Sequence, residues 1–186
     1  MSIRIEQVID KTTGTVTREE HFKNGKLHRD GDQPAVIVRN ATTGNVTGAV
    51  VRKASIYDNY SQGTSLTDSE VKAVVASAIT SGKLPKTSNG IYFVLSSSDV
   101  RETSGFCTRY CGFHTHASIS GSDIKYAFVG NPARCPSACE AQTSSPNGDS
   151  GADGMASIMA HESEEAIIDT DLNAWYDSSG AENADK

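Results

Sequence analysis

This chain of 186 residues contains no apolar run approaching the roughly 20 residues that a membrane-crossing helix needs, which excludes a helical membrane span. Its opening, Met1-Ser2-Ile3-Arg4-Ile5-Glu6, lacks the apolar centre of a secretory signal, so the chain as written shows no export address. Basic residues are in deficit. With 17 Lys and Arg against 23 Asp and Glu, the formal net charge is −6, and the broad basic surface that non-specific nucleic-acid binding requires is excluded. Apolar residues make up only 37%, enough for one core, so the length points to a single domain or a domain with a small appendage.

Cysteine is scarce but patterned. Cys107, Cys111, Cys135 and Cys139 form C-x₃-C…C-x₃-C, which suits either two disulfides or a tetrathiolate metal site. Pro136 and the Ser/Gly-rich surroundings favour stapled loops, a preference that rests on an oxidising compartment. Three pairings remain open. Asn40, Asn45 and Asn59 begin glycosylation tripeptides, which matter only in a secreted chain.

The first stretch, 1–52, reads as a repeat-like β-hairpin segment. Asn24-Gly25 is a type I′ turn signal, Asp30-Gly31-Asp32 a second turn, and Ala35-Val36-Ile37-Val38 a short strand. Residues 53–186 read as the main domain. There Thr67 and Glu70 form a capping box, with Val71, Val74, Val75, Ala78 and Ile79 as the buried stripe of a helix that Ser81-Gly82 ends. Ile91–Leu95 and Ile124–Val129 read as strands, the cysteine loop with Gly112-Phe113-His114-Thr115-His116 lies between them, and 131–151 reads as a second loop. Asp153 is the expected N-cap of a last helix carrying Met155, Ile158, Met159 and Ala166. The order of elements predicts an α/β (α+β) fold, a small sheet with packed helices.

On that last helix lies His161-Glu162-Ser163-Glu164-Glu165. One turn apart, His161 and Glu165 share a face, the layout of the zinc-hydrolase signature H-E-x-x-H with a carboxylate in place of the second imidazole. Zinc accepts that exchange, because Glu oxygen and His nitrogen bind it at nearly the same distance. By analogy with zinc peptidases that use a glutamate as third ligand, Glu182 completes a set of His161, Glu165 and Glu182, Glu162 is the general base acting on water, and Asp185 orients His161 from behind. The bland reading of the same stretch is a solvated, Glu-rich surface helix. His114 and His116, two positions apart, can point to one side and hold a metal, but such histidines are more often polar loop residues. Asp169 and Asp171 can cap, orient a ligand or bind a cation, and Trp175 and Tyr176 read as anchors of the final loop.

From about Ile56 onward the chain resembles the phosphate-induced protein (EXORDIUM) family of secreted proteins. The resemblance rests on Tyr57-Asp58-Asn59-Tyr60-Ser61-Gln62-Gly63, on Tyr92-Phe93-Val94-Leu95-Ser96-Ser97-Ser98-Asp99-Val100, and on Gly105-Phe106-Cys107 with Cys111-Gly112-Phe113-His114. It continues through Lys125-Tyr126-Ala127-Phe128-Val129-Gly130-Asn131, Cys135-Pro136-Ser137-Ala138-Cys139, and Ser145-Pro146-Asn147-Gly148-Asp149. The family implies an extracellular location and an association with the plant cell wall and cell expansion. Its plant members lack the His-Glu-x-x-Glu stretch, whereas microbial relatives resemble this chain through His161-Glu162, Glu165 and Glu182-Asn183-Ala184-Asp185. Relative to the family the chain looks clipped at both ends.

Two functions are expected on these grounds. One is an extracellular zinc-dependent peptidase or related hydrolase on a zincin-like core, acting on peptide or cell-wall material. The other is a non-catalytic secreted module in which the acidic cluster is structural or holds Ca²⁺.

Overall fold

The computed structural model describes residues 52–142, 144–173, 177–182 and 184–185 in full, and the backbone of strands 3–10, 22–23, 26–27, 37–39 and 46–51. In chain order the elements are β1 (Ile3–Asp10), β2 (Phe22–Lys23), β3 (Lys26–Leu27), β4 (Ile37–Arg39), β5 (Val46–Asp58), β6 (Ser65–Leu66) and α1 (Asp68–Thr80). They are followed by β7 (Gly90–Leu95), β8 (Arg101–Glu102), β9 (Gly112–Ile119), β10 (Ser122–Val129), a 3₁₀ turn (Pro132–Arg134), α2 (Pro136–Cys139) and α3 (Ser150–Ile168). The fold is α+β.

Six strands form one sheet in the order β4-β5-β1-β7-β10-β9. β7 runs parallel to β10 and antiparallel to β1, and β9 is an antiparallel edge strand on β10. β5 continues unbroken from Val46 to Asp58, so the strand runs through position 52, and β1 pairs with both β5 and β7. The expected hairpin is present as Phe22–Lys23 paired with Lys26–Leu27; its turn residues Asn24-Gly25, the turn Asp30-Gly31-Asp32 and the tripeptides at Asn40 and Asn45 lie outside the described residues.

One helix covers each face of the sheet. On one side, Val71, Val74, Val75, Ala78 and Ile79 of α1 pack against Tyr92, Val94, Ile124, Tyr126 and Phe128. On the other, Ile158 and Ala166 of α3, with Met155 and Met159, meet Ile91, Phe93, Leu95, Ala127 and Val129. Alternate residues of β7 thus go to opposite cores, which is why it reads as an unbroken apolar run. α1 begins at the expected capping box: the Thr67 amide donates to Glu70 Oε2 at 2.7 Å and the Glu70 amide to Thr67 Oγ1 at 3.4 Å.

Two expectations need correction. α3 is capped by Asp149, whose Oδ1 accepts from the Ala152 amide at 3.0 Å, and not by Asp153. Asp153 is buried within the first turn and accepts from Ser145 Oγ at 2.5 Å and from the Asn147 amide at 3.1 Å, tying down the loop before the helix. Gly151, which reads as loop, and Gly154 in the expected helix opening let that turn lie directly on Asn131 and Pro132; a Cβ at Gly154 would come 2.7 Å from the Pro132 ring. The segment around His114 is also not a loop. It is β9, hidden in the sequence because histidines occupy the alternate positions that a strand pattern expects to be plainly polar or apolar.

The cysteines form two disulfides, Cys107–Cys135 and Cys111–Cys139, each spanning 28 residues. The second sits immediately before β9 and fastens its start to α2. Replacing Cys111 and Cys139 together by Ala is expected to lower stability by about 2–3 kcal/mol in a denaturant titration, because with Cys107–Cys135 intact the bond closes only a short further loop through 107–111 and 135–139. A non-reduced peptide map should join the Cys107 peptide to that of Cys135; a Cys107–Cys111 link would contradict the pairing.

A candidate metal centre

Strand alternation sets the site. Phe113, Ala117 and Ile119 of β9 enter the α1-side core, which turns Gly112, His114 and His116 toward α3. Facing them, α3 buries Gly151, Gly154, Ile158, Glu162, Glu165 and Ala166, a stripe at steps of three and four that begins small, becomes aliphatic and ends acidic. The acidic end lies over His114. Gly112 makes the approach possible: a Cβ there would stand 2.6 Å from Ile158 Cγ2, 2.7 Å from Glu162 Oε1 and 2.8 Å from the Phe128 carbonyl.

His114 is buried, and its Nε2 lies 3.1 Å from the Asp169 carbonyl. A carbonyl only accepts, so Nε2 carries the hydrogen and donates it. Nδ1 is left facing two carboxylates, Glu165 Oε2 at 3.4 Å and Glu162 Oε2 at 3.8 Å. Further out, His161 Nε2 lies 3.0 Å from Glu165 Oε1 and 3.6 Å from Asp185 Oδ1. Glu162 is only 2% exposed, whereas the His161 side chain is 37% exposed, so the cluster runs from a dry interior to a wet rim.

Charge follows this gradient. Burial disfavours the His114 imidazolium, but Glu162, Glu165 and the Asp169 carbonyl outweigh that and hold its pKa at about 10. Contact with Glu165 raises His161 to about 9 against a smaller effect of burial. Burial would raise Glu165, yet its two imidazole neighbours hold it at about 2. Glu162 goes the other way: burial is the main cause of its rise, with the Glu165 charge adding to it. Burial and then Glu165 also raise Glu182.

The sequence-derived residues are brought to one region but divided among overlapping sets. His161, Glu165 and Asp185 converge within 4.8 Å, as do His114, Glu162 and Glu165, and also His114, Asp169 and Glu182. Glu182 thus groups with His114 and Asp169, and Asp185 stands on the same Nε2 side of His161 as Glu165, where a co-ligand would stand. Glu162 points under the helix, its oxygens against His114 and Gly112. Trp175 and Tyr176 lie outside the described residues. A neighbouring group of His116, Asp123 and Asp171 already contains a cation, because Lys125 Nζ reaches Asp171 at 3.1 Å and also bonds Asp123.

Gly112 is the participant that motif reading passed over, and His114, weighed as a ligand but favoured as a polar loop residue, is buried at the centre of the cluster. The signal available was the alternation of Phe113, Ala117 and Ile119 with His114 and His116, which places both imidazoles on one face.

The donor set fits a divalent cation. Among the described residues, Glu162 Oε2 and Glu182 Oε2 are buried without a hydrogen-bond partner, a costly condition for carboxylate oxygens. Nitrogen–oxygen separations of 3.0–3.8 Å also bracket the edge, about 3.4 Å, of a tetrahedron with zinc–ligand bonds of about 2.1 Å.

Two outcomes are expected. Gly112→Ala should destabilise the protein by about 1–3 kcal/mol in chemical denaturation, because the added methyl meets Ile158, Glu162 and the Phe128 carbonyl and must push α3 off the sheet. In chelator-treated protein, the His114 value of about 10 exceeds the ordinary 6.5, so its stabilising contribution is complete below about 6.5 and is lost as pH rises toward 10. Tm should therefore fall across that window in the wild type and change less in His114→Gln; equal slopes would contradict the assignment.

Comparison with known proteins adds ancestry. A family model described as the phosphate-induced protein 1 conserved region matches residues 33–186, beginning before Ile56. Protein EXORDIUM-like 3 of Arabidopsis thaliana is 40% identical over 154 residues, covering 73% of this chain and 45% of the relative. Protein EXORDIUM-like 5 of the same plant is 35% identical over 161 residues, covering 76% and 44%. The chain thus spans less than half the length of these curated relatives, and no solved structure matches it. On the extent of the family match and the level of identity, this chain belongs to the phosphate-induced protein 1, or EXORDIUM-like, family.

Proposed function

We propose that this chain is an extracellular EXORDIUM-like protein whose carboxylate–imidazole cluster binds a divalent cation, zinc in the first instance, and serves a hydrolase acting on peptide or cell-wall material. The observation that supports it most directly is the unpartnered, buried Glu162 Oε2 aimed at His114 Nδ1, in a cluster where the described carboxylates outnumber the cations. His161 and Glu165 would hold the ion at the accessible rim, with Asp185 completing the set in place of the expected Glu182. Bound there, zinc would supply Lewis acidity toward a carbonyl and acidify water. In this reading Glu162, at the inner end of the same cluster beside His114, is the proton acceptor. The extracellular placement draws on the family resemblance, and two disulfides fit an oxidising compartment.

One observation favours a second reading, a non-catalytic secreted module in which the ion fastens α3 to the sheet. At 2% exposure Glu162 is shielded from any substrate in this arrangement. Metal analysis and peptide-library digestion separate the two. The hydrolase reading expects stoichiometric zinc, at least tenfold weaker binding in Glu165→Ala, and cleavage that Glu162→Gln abolishes. Zinc bound without cleavage by either protein supports the module. A folded protein that binds no metal removes the metal-centred function.

A further inference from the structure

We propose that the cluster holds two divalent cations side by side, bridged by the carboxylate of Glu165. This rests on the reading that the cluster binds metal at all, and adds to it a second subsite centred on His114. The two oxygens of Glu165 address different imidazoles: Oε2 lies 3.4 Å from His114 Nδ1, and Oε1 lies 3.0 Å from His161 Nε2. The inner subsite is formed by His114, Glu162 and Glu165, and the outer by His161, Glu165 and Asp185; in each the donor atoms fall within 4.8 Å of one another. Glu165 is the shared member. A carboxylate whose two oxygens face separate nitrogen donors is suited to bridge two ions.

The inner subsite has the marks of a made site. Glu162 is 2% exposed, its Oε2 has no hydrogen-bond partner, and that oxygen points at His114 Nδ1 from 3.8 Å. His114 Nε2–H is committed to the Asp169 carbonyl, which fixes the ring and turns Nδ1 toward the carboxylates, where an ion would take the place of its proton. Outer hydrogen bonds of this kind orient imidazole ligands in metal sites. Charge points the same way. Glu162, Glu165, Glu182 and Asp185 crowd two imidazoles, and among the described residues no Lys or Arg forms an ion pair with these four acids. Once the two imidazoles bind as neutral ligands, four carboxylates match the charge of two dications. One imidazole and two carboxylates per ion is a hard-to-borderline set that suits Zn²⁺ or Mn²⁺. Paired ions of this type serve hydrolytic displacements.

The test uses the full chain, stripped with a chelator, reloaded separately with Zn²⁺ and Mn²⁺, and desalted. Elemental analysis should find two ions per wild-type chain and one in each of His114→Gln and His161→Gln. The Mn²⁺-loaded wild type should give an exchange-coupled electron paramagnetic resonance spectrum, replaced by an uncoupled single-ion spectrum in either variant. Glu162→Gln, nearly isosteric, repeats the inner-subsite measurement if circular dichroism shows that His114→Gln does not fold. One ion in the wild type, lost in both His variants, would overturn the pair and leave a single shared centre. One ion lost only in His161→Gln would overturn the inner subsite while leaving the rim site intact. No ion bound by folded wild type would overturn both this pair and the metal-centred function.

Discussion

The burial of Glu162 and Glu165 against His114, in the seam between α3 and β9, is the interaction around which this molecule is arranged. Carboxylates removed from water destabilise a fold unless charge and hydrogen bonds compensate them. The surroundings supply part of that compensation. Asp169 fixes the imidazole through its carbonyl, His161 covers the outer oxygen of Glu165, and Gly112 clears the ground on which Glu162 rests. What the described side chains leave unmet, the Oε2 atoms of Glu162 and Glu182, is the room a cation would fill.

The same seam explains why the chain joins apolar and ionic packing on one helix. Near its start α3 lies on Pro132 through Gly154, in its middle it drives Ile158 into Phe93, Leu95 and Val129, and at its end it presents acids to the sheet edge. The apolar half anchors the helix, so the acidic half is held where its charges would otherwise avoid going. The Cys111–Cys139 disulfide adds a covalent constraint one residue before β9, three before His114. Membership of the EXORDIUM-like family relates this scaffold to the two Arabidopsis thaliana proteins it matches.

Much of the fold was legible. The capping box at Thr67 and Glu70, the five-residue stripe of α1 and the apolar runs of β7 and β10 depend on neighbours within a turn or a strand, and each appears where its pattern places it. α3 begins earlier than its sequence pattern suggests, because Gly151 looks like loop until Asn131 and Ala133 are known to lie against it. β9 was missed for a related reason: His114 and His116 have no fixed place in an apolar–polar alternation, and only the α3 acids above them show that this face is buried and ionic.

Sequence by itself determined the family, the α+β character, the periodicity of α1 and the one-turn relation of His161 to Glu165, since all of these are carried by short-range spacing or by ordered motifs. It did not determine which groups meet. The lateral order of strands puts β9 beside β10, the side on which α3 packs sets Glu162 and Glu165 over His114, and the return of the final segment brings Asp185 to His161 and Glu182 to the group with His114 and Asp169. Those contacts join residues tens of positions apart, and only the packing of helix on sheet selects them, because spacing along a chain constrains direction within one element and says nothing of what lies across from it.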